Sequence, residues 1–196
     1  MSFRIEEKLN LRAENLTDFK KYIFNNSSEK LFKSRKIKSL SFDNNNFGMY
    51  GDSIEGLVPR KKIRIRNYPN DKDNNFYLEV KNSSVEGRFK TRKIINDNKT
   101  FELEKNGILD SQYGICFPKF IVSYDREYIK YQGVRISIDT NIIYKNYKNN
   151  NYFSDKRIIV EIKTSIDKNV DFLTEKFPFQ RIRFSKYCFA VDDLKN

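Results

Sequence analysis

The segment Lys62-Ile63-Arg64-Ile65-Arg66-Asn67-Tyr68 alternates long polar and branched apolar side chains. Successive side chains of a strand point to opposite faces, so this period of two specifies a strand with one basic face and one apolar face. The pattern recurs in Arg4-Ile5-Glu6-Glu7-Lys8-Leu9, Tyr77-Leu78-Glu79-Val80-Lys81, Val134-Arg135-Ile136-Ser137-Ile138-Asp139 and Ile159-Val160-Glu161-Ile162-Lys163. Weaker versions span Ile37–Phe42, Gly87–Lys93 and Phe120–Ile129, which makes about eight strands. Helical spacing is rarer. Leu16, Phe19, Lys20 and Ile23 predict a helix over 14–24, capped by Asn15 or Thr17, and Asp171–Phe177 and Phe184–Val191 read as short helices. The class is α+β, dominated by an antiparallel sheet and read as a single domain over 1–196. Asparagine clusters at 25–26, 44–46, 74–75 and 149–151 read as loop punctuation.

The polar faces carry an unusual charge. Lys62, Arg64, Arg66 and Tyr68 share one; Arg88, Lys90 and Arg92 share another; Arg4, Glu6 and Lys8, then Glu79 and Lys81, Arg135 with Asp139, and Glu161 with Lys163 follow. A solvated sheet face accommodates long charged side chains, but it ordinarily mixes signs and is rich in Thr and Ser. Alternate residues on a strand lie roughly 6.6–7 Å apart. Two like charges at that spacing repel by about 0.6 kcal/mol in water and roughly 2.4 kcal/mol at an effective dielectric near 20. On an open face that is tolerable; facing inward, the row implies an anionic ligand. Periodicity leaves both orientations open.

The whole-chain charge agrees. Lys and Arg number 38 against 26 Asp and Glu, for a net +12, which suggests a polyanionic partner. The absence of His excludes every mechanism that needs imidazole, and two cysteines are too few for a disulfide framework or a Cys-based zinc site. No apolar run reaches the roughly 18–20 residues of a membrane span, and the first residues lack a secretory h-region, so a cytoplasmic setting is expected. Glu6 and Glu161, each two residues from a lysine, suit salt bridges. Salt bridging is the commoner case for such carboxylates, and they also suit a divalent cation shared with substrate phosphates, as in phosphoryl transfer.

The order of these segments resembles the VTC (vacuolar transporter chaperone) domain, a polyphosphate polymerase module of the CYTH-like, triphosphate-tunnel metalloenzyme superfamily. The resemblance rests on Arg4-x-Glu6-x-Lys8, Ser39-Leu40-Ser41-Phe42-Asp43-Asn44, Arg60-x-Lys62-x-Arg64-x-Arg66-x-Tyr68, Leu78-Glu79-Val80-Lys81 and Arg88-x-Lys90-x-Arg92. Tyr124-x-Arg126, Val134–Thr140, Ile159–Lys163 and Phe184-Ser185-Lys186-Tyr187 complete it. It implies an eight-stranded antiparallel β-barrel enclosing a tunnel, flanked by helices, with Lys62, Arg64 and Arg66 inward and Ile63 and Ile65 outward. It also implies that Lys8, Arg64, Arg66, Lys81, Arg126, Arg135 and Lys186 bind a triphosphate or polyphosphate, with Lys62, Arg88, Lys90 and Arg92 as further contacts. Glu161 is then the main metal carboxylate, with Glu6 and Glu79 beside it, for Mn²⁺ or Mg²⁺. Glu161, Lys8, Arg64 and Arg66 carry catalysis.

The function so implied is a metal-dependent phosphotransferase, a polyphosphate polymerase using ATP, in a form without membrane or regulatory domains. A tripolyphosphate or nucleoside triphosphate hydrolase is the nearest competitor. A module that only binds polyphosphate or nucleic acid is the other class, since Tyr68, Phe76, Tyr77 and Tyr124 neighbour the basic strands. Glutamates set in the basic face speak against nucleic acid. The remaining aromatics, Cys116 and Cys188 read as core, and Lys20-Lys21 and Lys33 to Lys38 as solvated charges, with Arg35 or Lys36 able to widen a basic mouth.

Overall fold

The computed structural model describes residues 4–71, 73, 75–165, 171, 174–175 and 177–195. Its strands are β1 (Arg4–Leu11), β2 (Ser28–Asp43), β3 (Arg60–Asn67), β4 (Phe76–Ser84), β5 (Gly87–Ile95), β6 (Ile108–Asp110), β7 (Gly114–Tyr131), β8 (Val134–Asn146), β9 (Tyr152–Asp155) and β10 (Ile158–Ser165). The helices are α1 (Ala13–Phe24), α2 (Gly48–Glu55), α3 (Asp97–Asn106) and α4 (Lys186–Leu194). Eight strands follow one path, β1-β10-β8-β7-β2-β3-β4-β5, while the short β6 and β9 pair with β7 and β8. The registers resolved between neighbours are antiparallel. The α+β class and the antiparallel sheet are therefore as expected.

The chain forms two compact units. The first comprises Met1–Arg35, Tyr124–Ile142 and Asp155–Phe184. Its core is the apolar parity of three strands: Leu9 and Leu11 of β1, Ile136 and Ile138 of β8, and Ile158, Val160 and Ile162 of β10. Helix α1 closes that core with Leu16, Phe19 and Ile23, which the 3.6-residue repeat sets on one side. The cap differs from expectation: Arg12, in extended conformation and without a side-chain bond, holds the N-cap position in place of Asn15 or Thr17. Phe177 and Phe179 pack on Phe19, with ring centroids 6.2 and 5.2 Å away. The helix expected over Asp171–Phe177 lies in part, at 172–173 and 176, outside the described residues.

The second unit comprises Lys36–Ser123, Ile143–Ser154 and Ser185–Asn196. Ile63 and Ile65 of β3 are buried with Leu40, Phe42, Met49, Ile95 and Cys116, and Leu103 of α3 packs on the same cluster. The apolar face of the basic strand thus lies under α2 and α3. Neither helix is expected from the sequence; both follow asparagine-bearing loops. The C-terminal helix begins two residues later than expected, at Lys186, because Ser185 caps it by accepting from the Cys188 amide. Several aromatics assigned to the core are on the surface: Phe32, Phe101 and Tyr152 are exposed. Lys20 is not merely solvated, since its ammonium sits 2.7 Å from Glu127.

Candidate functional site

Each unit carries one cluster of the charged residues singled out above. In the first, antiparallel pairing sets Lys8 opposite Glu161 and Glu6 opposite Lys163, and β8 continues the rows with Ser137 and Arg135. Opposite charges therefore alternate along and across β1 and β10, the favourable cross-strand arrangement, whereas Arg135 of β8 stands opposite the like charge of Lys163. Lys163 joins two carboxylates, its Nζ lying 2.6 Å from Glu161 and 3.4 Å from Glu6. The Lys8 ammonium is 3.7 Å from Glu6 and donates to the Phe184 carbonyl at 2.7 Å. Only 13% of the Glu161 side chain is exposed. Burial alone would raise its pKa, but Lys163, Arg126 and Lys8 outweigh it and hold the carboxyl well below the ordinary carboxylate range. Glu161 is thus an obligate anion among cations.

Arg126 has as its partner Asp139, which strand parity sets on one face with Arg135 without pairing it to Arg126. Its Nε and Nη2 donate to the two oxygens of Asp139 at 2.5 and 2.7 Å. Asp139 is fully buried, whereas Arg135, assigned to the same face, is exposed. The signal was present: an Asp closing the Ile136-Ser137-Ile138 run of a strand is costly unless it is paired. The Tyr124 ring lies under the Arg126 guanidinium at 5.2 Å.

In the second cluster, three strands line up in rows: Lys62–Lys81–Lys90, Arg64–Glu79–Arg92 and Arg60–Ser83–Arg88. Neighbouring strands are only about 4.8 Å apart, so a row of three lysines places like charges in direct opposition. Glu79 is the counter-charge. Its side chain has no exposed surface, and Arg64 Nη2 lies at 2.6 Å, Lys90 Nζ at 2.5 Å, Arg66 Nη1 at 3.7 Å and Arg92 Nε at 3.7 Å. Burial opposes its charge, but Arg64, Arg66 and Lys90 prevail and bring its pKa down to about 2. Arg66 is itself buried and donates to Ser39 Oγ at 3.1 Å. Arg92 stacks on Tyr77, 3.6 Å from the ring centroid, and Lys62 donates to Ser185 Oγ at 2.8 Å. Lys186, the first residue of α4, is half-buried in this unit.

Glu6 and Glu161 thus come together through Lys163, while Glu79 is surrounded by its own cations. Among the described residues no group of three or more His, Cys, Asp and Glu side chains could hold a metal ion. Two carboxylates with substrate phosphates still suit a hard divalent cation such as Mg²⁺, which keeps waters and takes few protein ligands. Cys116 packs in the second core, where burial pushes its thiol up to about 11, in keeping with an inert role.

The fold has known counterparts. A candidate adenylate cyclase from Bacillus halodurans superimposes with a TM-score of 0.63 at 11% identity, over 94% of either chain. A conserved hypothetical protein from Pyrococcus furiosus does so at 0.59 and 16% identity, over 95% of this chain and 99% of that one. A candidate adenylyl cyclase from Hippeastrum, described as having a dominant triphosphatase activity, gives 0.55 at 17% identity, over 97% and 94%. At such identities the likeness is one of fold. No curated protein matches the sequence. The VTC domain model matches residues 3–195, and the chain belongs to that family. Among the described residues no helix is long and apolar enough to cross a membrane.

Proposed function

We propose that the protein is a metal-dependent phosphotransferase that moves the γ-phosphoryl group of ATP onto a phosphate acceptor and so builds polyphosphate. The observation that supports this best is the ionised Glu161 held against Lys8, Lys163 and Arg126 in a chain of the VTC family. Glu161, with Glu6 beside it, would hold Mn²⁺ or Mg²⁺, which when bound would neutralise charge on the phosphate oxygens. Lys8, Arg126 and Arg135 bind the reacting phosphates, Asp139 fixing the plane of the Arg126 guanidinium. In the second unit Lys62, Arg64, Arg66, Lys81, Arg88, Lys90, Arg92 and Lys186 bind phosphate groups. The acceptor phosphate oxygen forms the new bond to the γ-phosphorus as the bond to ADP breaks. Such chemistry is largely positioning and charge stabilisation, which Lys and Arg supply without imidazole.

A second reading takes water as acceptor, giving tripolyphosphate or nucleoside triphosphate hydrolysis. It is favoured by the triphosphatase activity described for the Hippeastrum neighbour. Incubation with ATP and Mn²⁺ separates the two: long polyphosphate on a gel supports the polymerase, and orthophosphate alone overturns it.

A further inference from the structure

Glu79 uses both carboxylate oxygens on cations. Oε2 accepts from Arg64 Nε at 2.8 Å and faces Arg66, while Oε1 accepts from Lys90 at 2.5 Å and faces Arg92. Its strand register places it between Arg64 and Arg92, one row from Lys62, Lys81 and Lys90. A carboxylate so enclosed is poorly placed to coordinate a metal ion, because any approaching cation meets four positive groups first. Its oxygens instead accept from these donors as phosphate oxygens would. Glu79 is a built-in competitor for the same cations.

We propose that Glu79 is a positioning residue that tempers the grip of the β3–β5 cations on a phosphate chain, so that the chain can advance as it grows. This rests on the polymerase reading above. A phosphate group entering the cluster shares Arg64 and Lys90 with Glu79 rather than taking them whole. A ligand that must move through successive sites needs each one strong enough to hold it and weak enough to release it. Glu79 also fixes the direction of the Arg64 guanidinium, so the subsite is ordered before substrate arrives.

The test compares wild type, Glu79→Gln and Glu79→Asp, each at a temperature where circular dichroism shows it folded. Tripolyphosphate affinity is measured by calorimetry, and ATP turnover and product length with Mn²⁺. Glu79→Gln should bind tripolyphosphate about tenfold more tightly, since loss of one nearby anion removes a direct competitor. KM and kcat should fall together and the products should shorten. Glu79→Asp, whose shorter side chain holds the cations less well, should lie between the two; if Glu79→Gln does not fold, tighter binding by Glu79→Asp carries the test. Unchanged or weaker tripolyphosphate binding by the folded variants overturns the inference, and a loss of Mn²⁺ affinity makes Glu79 a metal ligand instead. Wild type that releases only orthophosphate overturns the polymerase reading, and with it the advancing chain, whatever the affinities of the variants.

Discussion

Glu161 and Glu79 are both anions held by cations, yet they stand in different company and should fail differently. Removing the charge of Glu161 in Glu161→Gln leaves Lys8, Lys163 and Arg126 to bind phosphate but deletes the carboxylate assigned to the metal. Turnover should fall about 100-fold or more, with tripolyphosphate affinity within about threefold of wild type. Calorimetry and a turnover assay on the same preparation read both, and unchanged turnover would sink the assignment. Glu79 makes a stability prediction. Its folded pKa of about 2 lies below the ordinary 4.5, so its contribution is full above pH 4.5 and fades as the pH falls toward 2. The size is on the order of 3 kcal/mol, from the shift alone. Melting curves of wild type and Glu79→Gln should therefore differ most at neutral pH and converge between pH 4.5 and 2. A gap independent of pH would place the loss in packing rather than charge. The residue pattern disclosed which positions are charged and on which face. It did not disclose which charges pair: Asp139 with Arg126, and Glu79 with four cations, depend on strand register, which alternation leaves open by two-residue steps.

Elements were legible where one face is apolar over a whole strand and hidden where the stabilising group is remote. Strands β3, β4 and β10 lie within a few residues of their expected bounds because a branched residue at every second position allows little else, and β1 does so although Glu7 interrupts its apolar parity. Strands β2, β7 and β8 run much further than expected, to 16, 18 and 13 residues, through stretches whose alternation breaks. Helix α2 had no visible start signal. Its N-cap residue, Phe47, is left-handed and makes no side-chain cap bond. The first amides are served instead from the end of β2: Asp43 accepts from Met49 and Tyr50 at 3.0 Å, and Asn44 from Gly48 at 2.9 Å. Asp43 is fully buried and also takes the Tyr187 hydroxyl at 2.5 Å, which ties α4 to the same carboxylate. Asp43→Ala strands the Met49, Tyr50 and Tyr187 donors at once, at a cost of at least about 3 kcal/mol. Urea denaturation should show that loss, with Asp43→Asn recovering part of it; a change under 1 kcal/mol would mean that α2 is held by packing alone.

At the scale of the molecule the surplus of +12 is the quantity that a ligand can change. Much of it is concentrated on strands, where the register sets Lys62, Lys81 and Lys90 opposite one another on three neighbouring strands. Without a polyanion these charges repel, and the repulsion opposes the folded state. Salt screens it, because the Debye length falls from about 14 Å at 0.05 M to roughly 4 Å at 0.5 M. The melting temperature of the ligand-free protein should therefore rise with ionic strength, opposite to a fold held mainly by surface ion pairs. Tripolyphosphate neutralises the same charges specifically. At 100 times its dissociation constant it adds about 2.7 kcal/mol by mass action, which for a chain of this size raises Tm by roughly 5–10 °C. Because its contacts are charge–charge, that increment should shrink as salt rises while the baseline Tm climbs. Differential scanning calorimetry with and without tripolyphosphate, at 0.05 and 0.5 M NaCl, measures both trends together. Convergence of the two curves at high salt is the expected result. A tripolyphosphate increment that salt leaves untouched would mean that the basic rows are not what holds the phosphate chain.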